Sequence, residues 1–302
     1  MITIFGSVNL DLIGSVERLP RPGETVSGGA FATAPGGKGA NQALAAARAG
    51  AQVRMVGAVG RDGFAESALA LLRTGRVDLG LLRSVAEPTG VALILVDAAG
   101  ENVIAVMPGA NNSVADRDAE LDFAPGDVLA LQLEVPVAAI AAVARRARDA
   151  GARVLLNFAP FRPEALELLP SVTHLIVNES ECELITAAAG AAGRSLPDQA
   201  AALAARYGVT VVVTLGKDGV IAVENGVPQQ AAALSVHAID TVGAGDTFCG
   251  YLAAGFSEGM PLGQALILAA KAGSLACTRS GAQPAVPMRA EVDAAGPTLT
   301  QT

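Results

Sequence analysis

The chain has 302 residues, a formal net charge of −8, 3% aromatic residues and no Trp. That length suits one large α/β unit or two modest ones, and the acidity without aromatic platforms argues against a nucleic-acid binder. Hydrophobic residues reach 51%, many of them Ala, yet no apolar run approaches the ~20 residues needed to cross a bilayer.

Ile2–Phe5 reads as a first strand, with no basic leader or cleavage site before it. Cys182, Cys249 and Cys277, with His174 and His237, show neither pairing nor zinc spacing. Together these features predict a reducing, cytoplasmic location. Gly6-Ser7-Val8-Asn9-Leu10-Asp11 follows the strand. In an extended segment Asn9 and Asp11 face the same way and offer a carboxylate and an amide to the hydroxyls of a sugar. An Asx-rich turn is the plainer alternative.

Ser15–Phe31 holds Pro20, Pro22 and several glycines around a short strand-like Glu24–Ser27. Pro35-Gly36-Gly37-Lys38-Gly39-Ala40-Asn41-Gln42 then opens a helix expected over Lys38–Ala49. Its glycines let backbone approach a ligand, and Asn41 falls in the first turn; a flexible helix start would look the same. A strand Val53–Val59 and a helix Phe64–Arg73 come next. Thr89–Pro108 reads as a hairpin, with Val91–Asp97 and Asn102–Met107 joined at Ala98-Ala99-Gly100.

From there strands and helices alternate. The strands are Val128–Leu133, Val154–Asn157, His174–Val177 and Val209–Thr214; the helices are Pro136–Ala150, Glu179–Ala188, Asp198–Tyr207, Ala244–Phe256, Leu262–Cys277 and Arg289–Ala294. Several helices end at or near Gly, as at Gly50 and Gly151. Such alternation predicts a three-layer α/β/α sandwich around a mostly parallel sheet. Ser15–Phe31 and Thr89–Pro108 fit no βα unit and are expected to form a small separate sheet or two surface excursions. No linker divides the chain, and Ala295–Thr302 is expected to fray.

Ligands on such sheets sit beyond the carboxyl ends of the strands. Glu134 stands there after Val128–Leu133, although an exposed loop Glu is equally ordinary. Asn178 and Glu181 follow His174–Val177; they read as an N-cap completing a capping box, or as a pair orienting water around a magnesium–phosphate group. Thr214-Leu215-Gly216-Lys217-Asp218-Gly219 is a strand end and turn that could meet a nucleotide.

Asp240-Thr241-Val242-Gly243-Ala244-Gly245-Asp246-Thr247 opens the helix Ala244–Phe256. Small residues at a helix N-terminus leave N–H groups uncovered beside the positive end of the dipole, a setting for an anion. Asp246 would then accept a proton from an attacking hydroxyl, or would simply suit the dipole as a first-turn acid. Neither a dinucleotide fingerprint nor a Walker A loop is present, since Phe248 stands at the third glycine position and Gly37-Lys38 and Gly216-Lys217 lack a following Ser or Thr.

Taken in order, Pro35–Gln42, Asn178-x-x-Glu181 and Asp240–Thr247 make the chain resemble the ribokinase family of sugar kinases, the PfkB carbohydrate kinases, from Ile4 to about Asp293. That resemblance implies a single kinase domain over 1–302. Within it, lid segments near 12–34 and 89–108 would also make a homodimer contact. The implied reaction is phosphorylation of D-ribose at its 5-hydroxyl by ATP, with Mg2+ and with K+ as activator. Asn9, Asp11, Gly37, Lys38, Asn41 and Glu134 would bind the sugar. Asp246 would be the base and contact the sugar, with Gly243, Ala244 and Gly245 around the transferred phosphoryl. Asn178, Thr214, Gly216, Lys217, Gly219 and Gly245 would bind the nucleotide. Glu181 would hold Mg2+ through water. Asp240, Val242, Ala276, Arg279, Gly281 and Ala285 would hold the monovalent cation, with Ala285 departing from the Ser often found there.

Two rivals stay on the same fold: a kinase for deoxyribose, a ketohexose, a sugar acid or a nucleoside, and a non-catalytic sugar binder. The binder has no reason to keep Asp246. A serine hydrolase is excluded, because Gly255-Phe256-Ser257-Glu258-Gly259 ends a helix and no His follows it. Small-molecule sugar and ATP, with no nucleic acid or membrane, complete the expected partners.

Overall fold

Along each central strand the side chains alternate between two helical layers, as the two-residue period of a strand requires. The computed structural model describes residues 1–191 and 195–296; the end of the segment expected to fray, residues 297–302, lies outside the described residues. The elements run β1 Ile2–Phe5, β2 Asn9–Val16, β3 Gly28–Gly36, α1 Lys38–Arg48, β4 Val53–Gly60, α2 Gly63–Thr74, β5 Asp78–Val85, β6 Gly90–Val96 and β7 Asn102–Met107. They continue with β8 Val128–Leu131, α3 Val137–Asp149, β9 Arg153–Asn157, β10 His174–Asn178, α4 Glu179–Ala188, α5 Leu196–Tyr207, β11 Thr210–Thr214, β12 Val220–Glu224, β13 Val227–Ala231, α6 Ala244–Ser257, α7 Leu262–Ala276, α8 Ala282–Ala285 and α9 Arg289–Ala294.

A nine-stranded sheet has the order β13-β12-β11-β10-β9-β8-β1-β4-β5. Every neighbouring pair from β11 to β5 is parallel, and β12 and β13 add an antiparallel edge. Ile2, Ile4, Leu155, Ile176 and Val212 point to a core shared with α1, α2, α6, α7 and α9. Phe5, Leu131, Leu156, Val177, Val211 and Val213 point to the opposite core with α3, α4 and α5.

A separate four-stranded sheet has the order β3-β2-β6-β7. It grows directly from β1 and realises the expected small sheet, with one correction. The strand lies at Gly28–Gly36, where it pairs antiparallel with β2, and Glu24–Ser27 is irregular. The hairpin Val91–Asp97 and Asn102–Met107 is present as β6 and β7. β5 was not anticipated, because Gly80 and Arg83 interrupt its apolar pattern. The short β12 and β13 turn at Asn225 and Gly226, both of positive φ; their antiparallel pairing is a hairpin appended to the alternating pattern.

One packing feature positions the site. α1 crosses α6 with almost no space between them. A Cβ on Gly250 would sit 2.5 Å from Ala45 Cβ and 2.6 Å from the Gln42 carbonyl oxygen. Gly39 lies equally close to the chain after β1, where a Cβ would come within 2.6 Å of Ser7 N. Small residues at these contacts bring the N-terminal ends of α1 and α6 to the carboxyl edge of the sheet, on the two sides of β1 where the strand order reverses.

Candidate active site

Asp246 stands in the first turn of α6 and is 7% exposed. Its Oδ2 accepts from Asn41 Nδ2 at 2.9 Å and its Oδ1 from Gln42 Nε2 at 3.1 Å. It lines a cavity of about 230 Å3 together with Lys38, Asn157, Asn178, Glu181, Thr214, Thr241, Gly243, Gly245 and Cys249. The walls are the N-terminal turns of α1, α4 and α6 and the carboxyl ends of β9, β10 and β11. A helix N-terminus favours an anion through its dipole and first-turn N–H groups, although at α1 those of Lys38, Gly39 and Ala40 are already taken by Glu134 and Ser7.

The loop before α6 is held rigidly. Gly243 adopts the left-handed region at φ 76°, and a Cβ there would lie 2.8 Å from Ala282 Cα. The N–H groups of Ile239 and Asp240 donate to the Cys277 carbonyl at 2.8 and 3.2 Å. Asp240 accepts from Val242 N at 3.0 Å and from Gly281 N at 2.8 Å. Asp240, Val242 and Gly281, predicted to share a cation site, are therefore brought together. Ala276 and Arg279 flank Cys277 in the same bend, and Ala285 is buried just beyond it. In that bend the wholly buried Gln283 amide has neither polar atom hydrogen-bonded among the described residues.

The sugar-side residues gather at the root of β2. Gly37 has φ 88°, and a Cβ on it would come 2.7 Å from Asn9 N. Glu134 caps the start of α1, its Oε2 accepting from Lys38 N at 3.0 Å and from Ser7 Oγ at 2.5 Å. The Asn9 side chain is 3% exposed, and its Oδ1 accepts from Asn111 Nδ2 at 2.7 Å. Asn111 also takes the Val8 N–H at 2.9 Å, so it fixes which way the Asn9 amide points.

Charge is unbalanced here. Burial, and then the negative charges of Glu134 and Asp246, push the Asp11 carboxyl up to about 6. Burial is also the largest cause raising Glu181. Lys38 is raised above its ordinary range, first by Asp246 and then by Glu134 and Glu181, against the opposing effect of burial. An anionic ligand entering this cavity meets one cationic side chain among its lining residues.

Asn178 and Glu181 form the capping box that the plainer reading expected. Asn178 Oδ1 accepts from Glu181 N at 2.8 Å and Glu181 Oε2 from Asn178 N at 2.9 Å. Both still face the cavity. Thr214 lines it as well, whereas Gly216, Lys217 and Gly219 lie in the turn beyond. Gly216 opens onto free space. Gly219, with φ 96°, is needed by the fold, since a Cβ there would come within 2.8 Å of Ala233 N. Asn41 gives one N–H to Asp246 and leaves its Oδ1 without a hydrogen-bond partner among the described residues. Sequence reasoning missed Gln42, Asn111, Gln132, Asn157, Thr241 and Cys249. Asn157 carried a signal, a polar residue closing an apolar strand at its carboxyl end. Among the described residues no three His, Cys, Asp or Glu side chains cluster to hold a metal, and no helix is long and apolar enough to cross a membrane.

The profile of the pfkB family carbohydrate kinases matches residues 1–289. This chain belongs to that family. It is similar to the ribokinase of Lactococcus lactis subsp. lactis, at 36% identity over 97% of this chain and 96% of the relative. Among solved structures it resembles ribokinase from Thermotoga maritima, with a TM-score of 0.88 and 31% identity over 97% and 98% of the two chains. Arabidopsis thaliana ribokinase, solved with ribose and ATP, has a TM-score of 0.86 and 32% identity over 96% of each chain. The carbohydrate kinase described here is therefore a ribokinase-type phosphotransferase.

The raised Asp11 carboxyl yields a stability test. A carboxyl that titrates higher in the folded state favours the fold only while protonated. That contribution is complete below about pH 3.8 and lost as pH rises through about 6. Asp11→Asn removes the buried charge, so at pH 8 the variant should be more stable by roughly 1–3 kcal/mol. Thermal melts at pH 8 and pH 4 check this: the variant's advantage should vanish at pH 4. A lower melting temperature than wild type at pH 8 would refute the assignment.

Proposed function

We propose that this kinase transfers the γ-phosphoryl group of ATP to the 5-hydroxyl of D-ribose, giving ribose 5-phosphate and ADP. One observation carries the reading: a buried carboxylate, Asp246, stands inside a glycine-framed helix N-terminus and lines a cavity whose other walls are helix starts and strand ends. The relative solved with ribose and ATP supports the choice of sugar. We read the chain as one kinase unit, with segments near 12–34 and 89–108 as its lid.

In this reading Asn9 and Asp11 bind ribose hydroxyls from the root of β2, with Gly37, Lys38 and Glu134 shaping the other side. Asp246 takes the 5-hydroxyl proton on a carboxylate oxygen. The freed oxygen forms its bond to the γ-phosphorus as the bond from that phosphorus to the β-phosphate bridging oxygen breaks, and ADP leaves. Gly243, Ala244 and Gly245 offer N–H groups to the transferring phosphoryl, and Lys38 offers positive charge. Phosphoryl transfer asks for such positioning and charge stabilisation. Asn178, Thr214, Gly216, Lys217 and Gly219 lie on the nucleotide side. Glu181, beside Asn178, is the acid that would orient the waters of a magnesium ion brought by ATP, and that ion would supply charge neutralisation at the phosphates.

Asp246→Asn keeps the shape and removes the base, so kcat should fall by ~10²–10⁴ while ribose affinity changes much less. A coupled assay over ribose, deoxyribose, a ketohexose and a nucleoside checks both residue and substrate. Near-normal kcat in folded Asp246→Asn ends the catalytic assignment, and a higher kcat/KM for another acceptor ends the ribose assignment.

We further propose a monovalent-cation site in the bend formed by Asp240, Val242, Ala276, Arg279, Gly281 and Ala285. The convergence of these residues and the unpaired Gln283 amide support it. Ala285 contributes no hydroxyl, so selectivity for potassium should be weak. Turnover should rise in potassium over tetramethylammonium; equal rates in sodium, potassium and tetramethylammonium would remove the site.

Finally, we propose a homodimer through the small sheet. β7 is exposed along its length; Phe31, Leu93 and Val103 leave apolar side chains exposed on one face of that sheet, and Ile104 and Val106 on the other. A thin sheet with such a face is normally covered. Sedimentation velocity should give a dimer at micromolar concentration; a monomer there would be decisive against it.

A further inference from the structure

Behind Asp246 runs a chain of buried amides that the reaction scheme does not use. Gln42, on α1, is 1% exposed, and Gln132, just beyond β8, is 0% exposed. Gln132 Nε2 donates to Gln42 Oε1 at 2.6 Å. Gln42 Nε2 donates to Asp246 Oδ1 at 3.1 Å and to Asn157 Oδ1 at 3.3 Å. The chain ends at Gln132 Oε1, which is buried without a hydrogen-bond partner among the described residues. That oxygen lies against Gly6, where any side chain would collide with it.

The direction of every bond in this chain follows from the carboxylate. An ionised carboxylate only accepts, so it turns the Gln42 NH2 toward itself. The Gln42 carbonyl must then face Gln132, which is obliged to present its own NH2. Between the two glutamines the oxygen left over is Gln132 Oε1, which is unpaired among the described residues, as is Asn41 Oδ1 on the far side of the carboxylate. Reversing Gln42 would set its carbonyl oxygen against the carboxylate and its NH2 against the Gln132 NH2, and reversing Gln132 would set one carbonyl oxygen against another. On the other side of the carboxylate Asn41 Nδ2 holds Oδ2 at 2.9 Å. With one donor on each oxygen, the carboxylate cannot rotate about its terminal torsion without breaking both bonds.

We propose that Gln42 and Gln132 are positioning residues for phosphoryl transfer: Gln132 locks the Gln42 amide, and Gln42 with Asn41 fixes the rotation of the Asp246 carboxylate. Neither glutamine lines the cavity. The unpaired oxygen is the residue of a network built outward from the carboxylate. This inference rests on the reading of Asp246 as the base.

The test uses Gln42→Met, Gln132→Met and the double variant in the full chain, with kcat at saturating ribose, ribose KM and melting temperature. Methionine matches the volume and removes the amide. Gln42→Met should lower kcat roughly 10- to 100-fold, the scale of a misplaced reacting group, with KM within about threefold. Gln132→Met should lower kcat in the same direction but less. In the double variant the second substitution should bring no further loss of kcat, because Gln132 acts only through Gln42. The melting temperature should partly recover there, because neither amide is left facing a missing partner.

A purely structural role would instead make kcat follow the melting temperature and recover in the double variant. That outcome overturns the proposal, as does Gln42→Met with kcat within about twofold of wild type, or a Gln132→Met effect of equal size in both backgrounds. If Gln42→Met fails to fold, Gln132→Met decides alone: a fall in kcat at unchanged KM supports the proposal, and an unchanged kcat refutes it. The Asp246→Asn assay separates the two levels. An active Asp246→Asn removes the base itself, whereas an inactive one beside a fully active Gln42→Met removes only the positioning role.

Discussion

The close crossing of α1 and α6 is the constraint on which the site depends. Gly250 lies against Ala45 and Gln42 with no room for a side chain. The Asn41 and Gln42 amides reach Asp246 across that contact. Had the helices met through larger residues, the interaxial distance would have grown toward the upper end of the usual 8–10 Å. The amides would then have fallen short of the carboxylate. The Ala-rich face of α1 is thus geometry as much as hydrophobicity.

Electrostatics set a second condition. Asp246 acts on Asp11 and Glu181, Glu134 acts on Asp11, and Asp246, Glu134 and Glu181 all act on Lys38. Such a cluster opposes a polyphosphate until its charge is answered. Backbone N–H groups at helix ends, Lys38 and the cations that accompany the nucleotide are what the local chemistry offers. Burial first, and then the negative charges of Glu134 and Asp246, explain why Asp11 holds its proton to unusually high pH, and a stabilising substitution there would remove a group that the proposed sugar site uses.

How much of this was legible varied with the physics behind each feature. Strong two-residue and helical periods made the central sheet and its helices readable. The motifs around Gly37–Gln42 and Gly243–Asp246 announced themselves through glycine, whose conformational freedom has few other uses at a helix start. β5 was hidden by Gly80 and Arg83, and β3 was misplaced because Gly28–Gly36 is too rich in small residues to show alternation. Gln132 and Asn111 carried no local signal. Their meaning arises from partners 90 and 102 residues away in sequence, a separation that spacing within one segment cannot report. Asn178 and Glu181 show the converse: the local capping reading was right, and their place at the cavity is an additional fact supplied by the fold.

The register of β2 has an evolutionary corollary. Asn9 pairs with Gly36 of β3 and Gly90 of β6, and Asp11 with Ala34 and Ala92. The residues proposed to grip the sugar are therefore rungs of the small sheet itself. A lineage that reshapes this sheet to suit a new partner surface also shifts the rungs that read the substrate. On the proposed sugar site and dimer, substrate preference and quaternary contact would be inherited as one module, and recombination that exchanges the sheet between relatives would carry both traits across together.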